Sequence, residues 1–82
     1  MRRLVGRNFA RLRRAKGLTQ EEVSARSGFT QGYLSGLEAG RRNPTVVSLF
    51  ELAQALGVDL VELIADPPGR PPPPGHPPGG RG

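Results

Sequence analysis

The sequence predicts an all-α fold, a compact domain of five short helices followed by a tail rich in proline and glycine. Apolar residues recur at helical spacing, and no segment alternates apolar and polar residues as a half-buried strand does. Residues that favour helix N-caps precede these segments, and glycines follow them. In contrast, thirteen of the sixteen residues in 67–82 are proline or glycine, which cannot bury a core. We therefore expect residues 1–66 to form the domain and residues 67–82 to be flexible.

Helix 1 is predicted from about Leu4 to Lys16. Its inward stripe comprises Val5, Phe9 and Leu12. The opposite, solvent-facing side carries an arginine row, Arg7, Arg11 and Arg14. Residues 1–17 hold seven basic side chains and no acid, whereas residues 45–66 hold four acids and no base. The charge is therefore polarised, and the basic end suits a polyanionic partner.

Helix 2 begins with a capping box. The Thr19 hydroxyl can accept a hydrogen bond from the backbone of Glu22, whose carboxylate can reach back to the Thr19 N–H. The helix is therefore predicted to begin near Gln20 and to bury Val23. It ends at Gly28, which tolerates the left-handed conformation of a sharp exit.

Helix 3 is predicted over Gln31–Ala39, with Thr30 as its N-cap. Gly32 and Gly36 lie four residues apart on its outward side, although an interior glycine costs about 1 kcal/mol relative to alanine. Its apolar side consists of Leu34 and Leu37. Two short helices joined by about three residues form a helix-turn-helix, so helices 2 and 3 are predicted to be one.

Helices 4 and 5 complete the predicted domain. Thr45 caps helix 4 and Gly57 ends it. Helix 4 is apolar around most of its girth and is expected to be central, with Val46, Leu49, Phe50, Ala53 and Leu56. Asp59, with Glu62 three residues later, caps the short helix 5, which contains Leu60, Val61, Leu63 and Ile64.

Two charged residues interrupt the apolar stripes. Arg13 continues the inward stripe of helix 1, and Glu38 continues that of helix 3. Opposite charges on buried faces are tolerated when they pair, so we expect an Arg13–Glu38 ion pair between the helices. Alternatively, both side chains lie at helix edges and reach solvent. Removal of Glu38 alone should cost about 3–5 kcal/mol if the arginine stays buried.

The composition disfavours several classes of function. There is no cysteine, so neither a disulfide framework nor a cysteine metal site is expected. The single histidine, His76, lies in the tail, and the domain has no arrangement of nucleophile, base or metal ligands, so we expect no catalysis and no cofactor. No apolar segment approaches the ~18 residues of a bilayer span, and the N-terminus lacks the apolar core of a signal peptide. A cytoplasmic protein is expected.

Three motifs together resemble the Cro and phage-repressor type of helix-turn-helix protein, often called the XRE family. They are GLTQEE at helix 2, YLSGLEAGRRNP across helix 3 and the next loop, and LFELAQALGV in helix 4. The resemblance covers residues 4–65 and implies a phage-repressor-like domain that inserts its third helix into the DNA major groove. Ser24 departs mildly from the family, which favours alanine there, and its hydroxyl needs a backbone carbonyl as a partner.

The resemblance also implies a set of DNA-binding residues. Gln20 matches a position that contacts a phosphate and braces a side chain of helix 3. Gln31 matches the braced position, where glutamine can pair with adenine N6 and N7. The loop after helix 3 matches a segment that lies along the phosphates, and the arginine row of helix 1 is a less favoured addition. The predicted DNA-binding residues are Gln20, Thr30, Gln31, Gly32, Tyr33, Ser35, Gly36, Arg41, Arg42 and Asn43.

Gly32 and Gly36 match positions that usually carry base-reading side chains in this family. We expect their bare flank to let the helix backbone approach the DNA closely. Recognition would then rely on phosphates, water and DNA shape more than on direct base contacts. The alternative is that the glycines are neutral and that other positions read the bases.

The apolar side chains of helix 5 suggest a partner subunit. Leu60, Val61 and Ile64 are more than so short a helix buries alone, and family members commonly dimerise there. A two-fold dimer would present helix 3 twice, about 34 Å apart, to a roughly palindromic operator. The alternative is a monomer in which the tail covers these residues.

The function implied by the resemblance is sequence-specific binding of double-stranded DNA by a small transcriptional regulator, a repressor or an autoregulator. The alternative function is a protein-binding adaptor or antitoxin-type module that uses the same fold, with the proline-rich tail as a docking segment. Salt-sensitive binding to random DNA separates these two functions, since only the first requires it.

Overall fold

The computed structural model describes residues 2–66, so the tail predicted at 67–82 lies outside the described residues. Within residues 2–66 the chain forms five α-helices and no strand, which confirms the all-α prediction. The first helix begins two residues earlier than predicted, and the other bounds agree to within a residue. The helices are α1 (Arg2–Ala15), α2 (Gln20–Ser27), α3 (Gln31–Glu38), α4 (Val46–Leu56) and α5 (Leu60–Ile64).

Threonine N-caps begin three of the helices as predicted. In α2, α3 and α4 the threonine hydroxyl accepts a hydrogen bond of 3.0–3.1 Å from the backbone N–H three residues later. The three caps are Thr19, Thr30 and Thr45. The Glu22 carboxylate completes the capping box by accepting from the Thr19 N–H at 2.8 Å. Gly28 and Gly57 end α2 and α4 with φ of +84° and +74°, so local sequence determines these boundaries.

The helices enclose one hydrophobic core. Their main contacts close a ring, in which α1 packs against α3 and α5, α2 against α3 and α4, and α4 against α5. The inward residues predicted for the first three helices are all buried. The largest apolar side chains with no solvent exposure are Phe9, Leu34, Leu37, Leu52, Leu63, Val5 and Val23.

A glycine in α1 permits a close approach to α3. A methyl group at Gly6 would lie 2.2 Å from the carbonyl oxygen of Leu37 and 3.2 Å from that of Glu38. No side chain fits at that distance without separating the helices. Gly6 therefore determines how closely α1 and α3 pack, a role that sequence analysis does not identify.

A buried polar side chain joins α1 to the end of α5. Asn8 is completely buried, and its Nδ2 donates to the carbonyl oxygens of Leu63 at 2.9 Å and Ala65 at 2.7 Å. A five-residue helix leaves most of its carbonyl groups without intrahelical partners. Asn8 satisfies two carbonyl groups at the end of α5, which explains how a polar residue is accommodated in the core.

Arg13 and Glu38 meet between α1 and α3. Arg13 donates from Nε to Oε2 of Glu38 at 2.7 Å and from Nη2 to Oε1 at 3.1 Å, a bidentate geometry. Its third nitrogen, Nη1, donates to the carbonyl oxygen of Leu18 at 2.8 Å. Both side chains are 12% exposed, so water reaches only the edge of the pair.

The first turns of α4 differ from the prediction. The sequence predicts a central helix that is apolar around most of its girth, but Val46 and Phe50 are 72% and 54% exposed. The face of α4 that contributes to the core carries Leu49, Leu52, Ala53, Ala55 and Leu56. Ser48, Glu51 and Gln54 are the only polar residues of α4, so most of its circumference is apolar and the sequence does not show which apolar residues the neighbouring helices cover. We define the α4 patch as the exposed residues Val46, Val47 and Phe50.

The α5 side chains lie at three depths. Leu63 is completely buried, whereas Leu60 and Ile64 are half-buried and pack against the core. Val61 is 63% exposed. Of the three residues predicted to form a dimer contact, only Val61 is thus fully available on the surface. None of the helices in the described part of the chain has the length and apolarity to cross a bilayer.

Candidate nucleic-acid interface

The turn between α2 and α3 is held by side-chain hydrogen bonds. Gly28 adopts the left-handed conformation, and the Ser24 hydroxyl donates to the carbonyl oxygen of Phe29. The Phe29 N–H in turn donates to Oγ of Ser27 at 3.2 Å. The prediction that the Ser24 hydroxyl finds a backbone carbonyl is confirmed. Because the turn is fixed locally, α3 leaves it in a defined direction relative to α2.

The solvent-facing side of α3 carries small and polar groups. Gln31, Gly32 and Ser35 are exposed, and Tyr33 is half-buried. A methyl group at Gly32 would meet only the Thr30 hydroxyl, at 4.0 Å. The first part of α3 is therefore open to a close partner, as predicted for this flank.

Gly36 does not belong to the bare flank that the sequence predicts. It is buried, because the side chain of Arg42 lies across it; a methyl group there would be 3.2 Å from Cγ and Nε of Arg42 and 3.7 Å from Cδ. Helical periodicity predicts which side of helix 3 faces outward. It does not predict that a side chain from the following loop covers part of that side. The flank is therefore bare at Gly32 and covered at Gly36.

The Arg42 side chain that covers Gly36 also contacts a pair of stacked aromatic rings. The Arg42 Cζ lies 5.5 Å from the ring centroid of Tyr33, within range of a cation–π interaction. The Tyr33 ring in turn stacks on that of Phe29, with centroids 4.9 Å apart and planes inclined by 17°. Phe29 is not among the predicted site residues, although a hydrophobic residue immediately before an N-cap often packs against the start of its helix.

The loop after α3 is tied to the end of that helix. The Arg41 N–H donates to the carbonyl oxygen of Gly36 at 2.8 Å, and Gly40 turns the chain with φ of +77°. Arg41, Arg42 and Asn43 are exposed. The Arg42 side chain thereby lies against α3 and Arg41 is exposed beside it in the chain, which makes this region attractive to a polyanion.

The other predicted contributors come from α2 and α1. Gln20, at the start of α2, is half-buried, and no hydrogen bond joins its side chain to that of Gln31 among residues 2–66. The arginine row of α1 is exposed, as predicted. The described residues contain no group of three or more His, Cys, Asp and Glu side chains that could hold a metal ion.

A helix-turn-helix family model matches residues 9–63, which include all of α2, α3 and α4. A curated relative from Sinorhizobium fredii, the uncharacterised HTH-type transcriptional regulator y4dJ, is 78% identical over 64 residues. The match spans 78% of this chain and 83% of that protein. Family and relative therefore agree on the class of protein.

Solved structures give the same result. The restriction-modification controller protein C.AhdI from Aeromonas hydrophila is similar with a TM-score of 0.71 and 39% identity over 74% of this chain and 92% of its own. The controller protein C.Esp1396I, solved as a tetramer with its natural 35-base-pair operator, has a TM-score of 0.68 and 30% identity over 77% and 93% of the two chains. The chain belongs to the XRE-type helix-turn-helix family of DNA-binding transcriptional regulators.

Proposed function

We propose that this chain is a small cytoplasmic repressor or autoregulator that binds double-stranded DNA in a sequence-specific manner, with α3 in the major groove. The observation that carries the proposal is the position of Arg42, whose side chain lies along the exposed side of α3. Polar side chains of the helix and the cationic loop thus share one surface. Both the C.AhdI and the C.Esp1396I structures, which are of controller proteins, support a regulatory role.

Each side chain on this surface has a role that fits its chemistry. The exposed carboxamide of Gln31 is proposed to pair with adenine N6 and N7 in the groove. Ser35 and Thr30 offer hydroxyls to bases or phosphates, and the phenol of Tyr33 offers one to a phosphate. The phosphate-directed positions are Gln20, Arg41, Arg42 and Asn43.

Gly32 is proposed to admit the DNA backbone or a base edge close to α3. Its neighbourhood is open, since only the Thr30 hydroxyl is within 4 Å of an added methyl group. Where no side chain separates helix and duplex, discrimination comes from water and from DNA shape as well as from direct contacts. Gly36 contributes differently, because Arg42 covers it.

A two-fold dimer is proposed as the DNA-bound form. Two copies of α3 separated by about 34 Å would enter successive major-groove turns, so the operator should be palindromic. Leu60, Val61 and Ile64 on α5 are the proposed dimer contact, and the α4 patch is a second apolar surface that a partner subunit could cover. The tetrameric assembly of C.Esp1396I on its operator supports self-association in this family.

In vitro selection of bound DNA tests this function most directly. The expected result is a palindromic site with two half-sites about ten base pairs apart. Binding to random DNA should weaken with salt, with a slope of log affinity against log salt of about −0.9 for each phosphate that the protein neutralises. Absence of any salt-sensitive DNA binding would reject the proposal in favour of a protein-binding adaptor.

Two glutamines provide a matched pair for the base contact. Gln31→Ala should relax the selected preference at one base pair in each half-site, by about 1–3 kcal/mol of discrimination. Gln54→Ala, an exposed glutamine on α4, should leave the selected sequence unchanged. An unchanged preference in both variants would show that Gln31 does not read a base.

A further inference from the structure

The Arg42 side chain leaves the loop after α3 and lies back across that helix. A methyl group at Gly36 would be 3.2 Å from both Cγ and Nε of Arg42, closer than Cβ contacts ordinarily are. Gly32, in the same helix, has no comparable neighbour. Gly36 therefore leaves the space that the stem of Arg42 occupies, a requirement that Gly32 does not have.

An aromatic stack supports the guanidinium group. Its Cζ is 5.5 Å from the Tyr33 ring centroid, and Tyr33 stacks on Phe29 at 4.9 Å. Both aromatic rings are partly buried and pack against the hydrophobic core. Because the stack is anchored in the core, we expect the guanidinium to be restrained before any ligand binds. A restrained arginine loses less conformational entropy on binding than a free one.

The donors of Arg42 are available to a ligand. Arg42 is exposed. It takes no part in the Arg13–Glu38 pair, which is the salt bridge found among residues 2–66. A guanidinium presents a planar fork of N–H donors, which fits two adjacent acceptors such as guanine O6 and N7 or two phosphate oxygens. A fork held in one place favours two acceptors that share one plane, and the O6 and N7 atoms of a guanine edge are such a pair.

We propose that Gly36 and Tyr33 are positioning residues that hold Arg42 on the exposed side of α3, where Arg42 reads a guanine. In this arrangement a loop residue supplies the base-reading side chain that the helix lacks at Gly36. The inference rests on the proposed function, in which this side of α3 faces the duplex. It goes beyond that function by assigning Arg42 to a base instead of the phosphate backbone.

The positioning is tested on the full-length free protein by NMR. The Arg42 ¹⁵Nε order parameter should be high in the wild type and should fall in both Gly36→Ala and Tyr33→Leu. Gly32→Ala is the matched control, since it adds the same methyl group to the same helix where nothing obstructs it. A disordered Arg42 in the wild type, or an order parameter unaffected by Gly36→Ala, overturns the positioning whether or not the protein binds DNA.

The guanine contact is tested on the selected DNA site. Replacement of the contacted guanine by 7-deazaguanine removes the N7 acceptor and should weaken wild-type binding about tenfold. Arg42→Ala, which removes every side-chain donor, should bind more weakly and be insensitive to 7-deazaguanine. If no guanine in the site responds to this replacement and Arg42→Ala weakens selected and random DNA equally, Arg42 is a phosphate contact and the assignment to guanine is wrong.

A double-mutant cycle links the two tests. Gly36→Ala should weaken binding about three- to tenfold in the wild type and have no effect in an Arg42→Ala background, because it acts through Arg42. The same loss in both backgrounds would mean that the methyl group obstructs the DNA directly, which overturns the positioning role. Absence of DNA binding by the wild type would reject the proposed function, while the NMR measurement would still decide the positioning.

Discussion

Three glycines within helices have different surroundings, and these surroundings decide what each residue does. At Gly6 an added methyl group would meet the backbone carbonyl of Leu37 at 2.2 Å, and at Gly36 it would meet the Arg42 side chain at 3.2 Å. At Gly32 it would meet almost nothing. Backbone cannot move aside without moving a helix, whereas a side chain can rotate. The consequence of substitution should therefore decrease in the order Gly6, Gly36, Gly32.

Alanine substitutions at the extremes of this order should change stability in opposite directions. Gly6→Ala should lower the free energy of unfolding by about 3 kcal/mol, because α1 and α3 must separate to admit the methyl group. Gly32→Ala should raise it by about 0.5–1 kcal/mol, since alanine restricts the unfolded chain and favours helix. Urea denaturation followed by circular dichroism measures both. A neutral Gly6→Ala would contradict the close contact between the two helices.

The ion pair between α1 and α3 should be costly to break from one side. In Glu38→Ala the Arg13 guanidinium keeps its bond to the Leu18 carbonyl but loses two charge-assisted bonds in a site that is only 12% exposed. A loss of about 3 kcal/mol in unfolding free energy is expected.

Glu38→Gln serves as the control for this prediction. It retains the shape of the side chain and one acceptor oxygen, so its cost should be smaller, about 1–2 kcal/mol. Both values come from the same chemical denaturation measurement. A loss below about half a kcal/mol in Glu38→Ala would mean that the pair behaves as an exposed salt bridge.

At the scale of elements, α5 depends on a contact from another helix. Five residues are too few to form a stable helix alone, and the helix is held by Leu63 in the core and by Asn8 at its end. Asn8→Leu keeps a similar volume but leaves the Leu63 and Ala65 carbonyls without their donor. The free energy of unfolding should fall by about 1–3 kcal/mol for this reason.

Hydrogen exchange distinguishes a local effect from a global one in this variant. Amides of α5 should lose protection in Asn8→Leu, while those of α2 and α3 should keep theirs relative to the global stability. Uniform loss of protection across all helices would indicate that Asn8 supports the whole core instead of the end of α5.

The elements were predictable from the sequence because their boundaries depend on neighbouring residues. Thr19 and Glu22 specify the start of α2 through hydrogen bonds that span three residues, and Gly28 specifies its end through its own φ. The exposure of Phe50 was not predictable, because apolar residues cover most of the circumference of α4 and do not reveal which of them its neighbours bury. The cover over Gly36 was also missed, because it depends on a side chain that returns from the next loop.

At the scale of the whole molecule, charged and apolar surfaces occupy different segments of the chain. Seven basic side chains lie in residues 1–17, two arginines follow α3, and four acids lie in residues 45–66. The α4 patch and Val61 belong to the segment that holds the acids, and Val61 also lines a pocket with Arg11 of α1. The exposed arginines after α3 lie outside that acidic segment, and they belong to the surface that is proposed to face DNA.

Charge substitutions at the two apolar surfaces should separate their roles in self-association. Val61→Glu places a carboxylate on α5, and Phe50→Glu places one on the α4 patch, where Phe50 is more than half exposed and its loss costs little core. Sedimentation equilibrium of the full chain should show a weaker dimer when the substituted surface lies in the contact. Burying the added charge is expected to cost about 2–5 kcal/mol, and the dimer dissociation constant rises tenfold for each 1.4 kcal/mol. Gln54→Glu, on the exposed side of α4, is the control for added charge and should leave the dimer unchanged. A wild-type chain that remains monomeric at high concentration, or a dimer indifferent to both substitutions, would exclude these surfaces and the arrangement of paired α3 helices that depends on them.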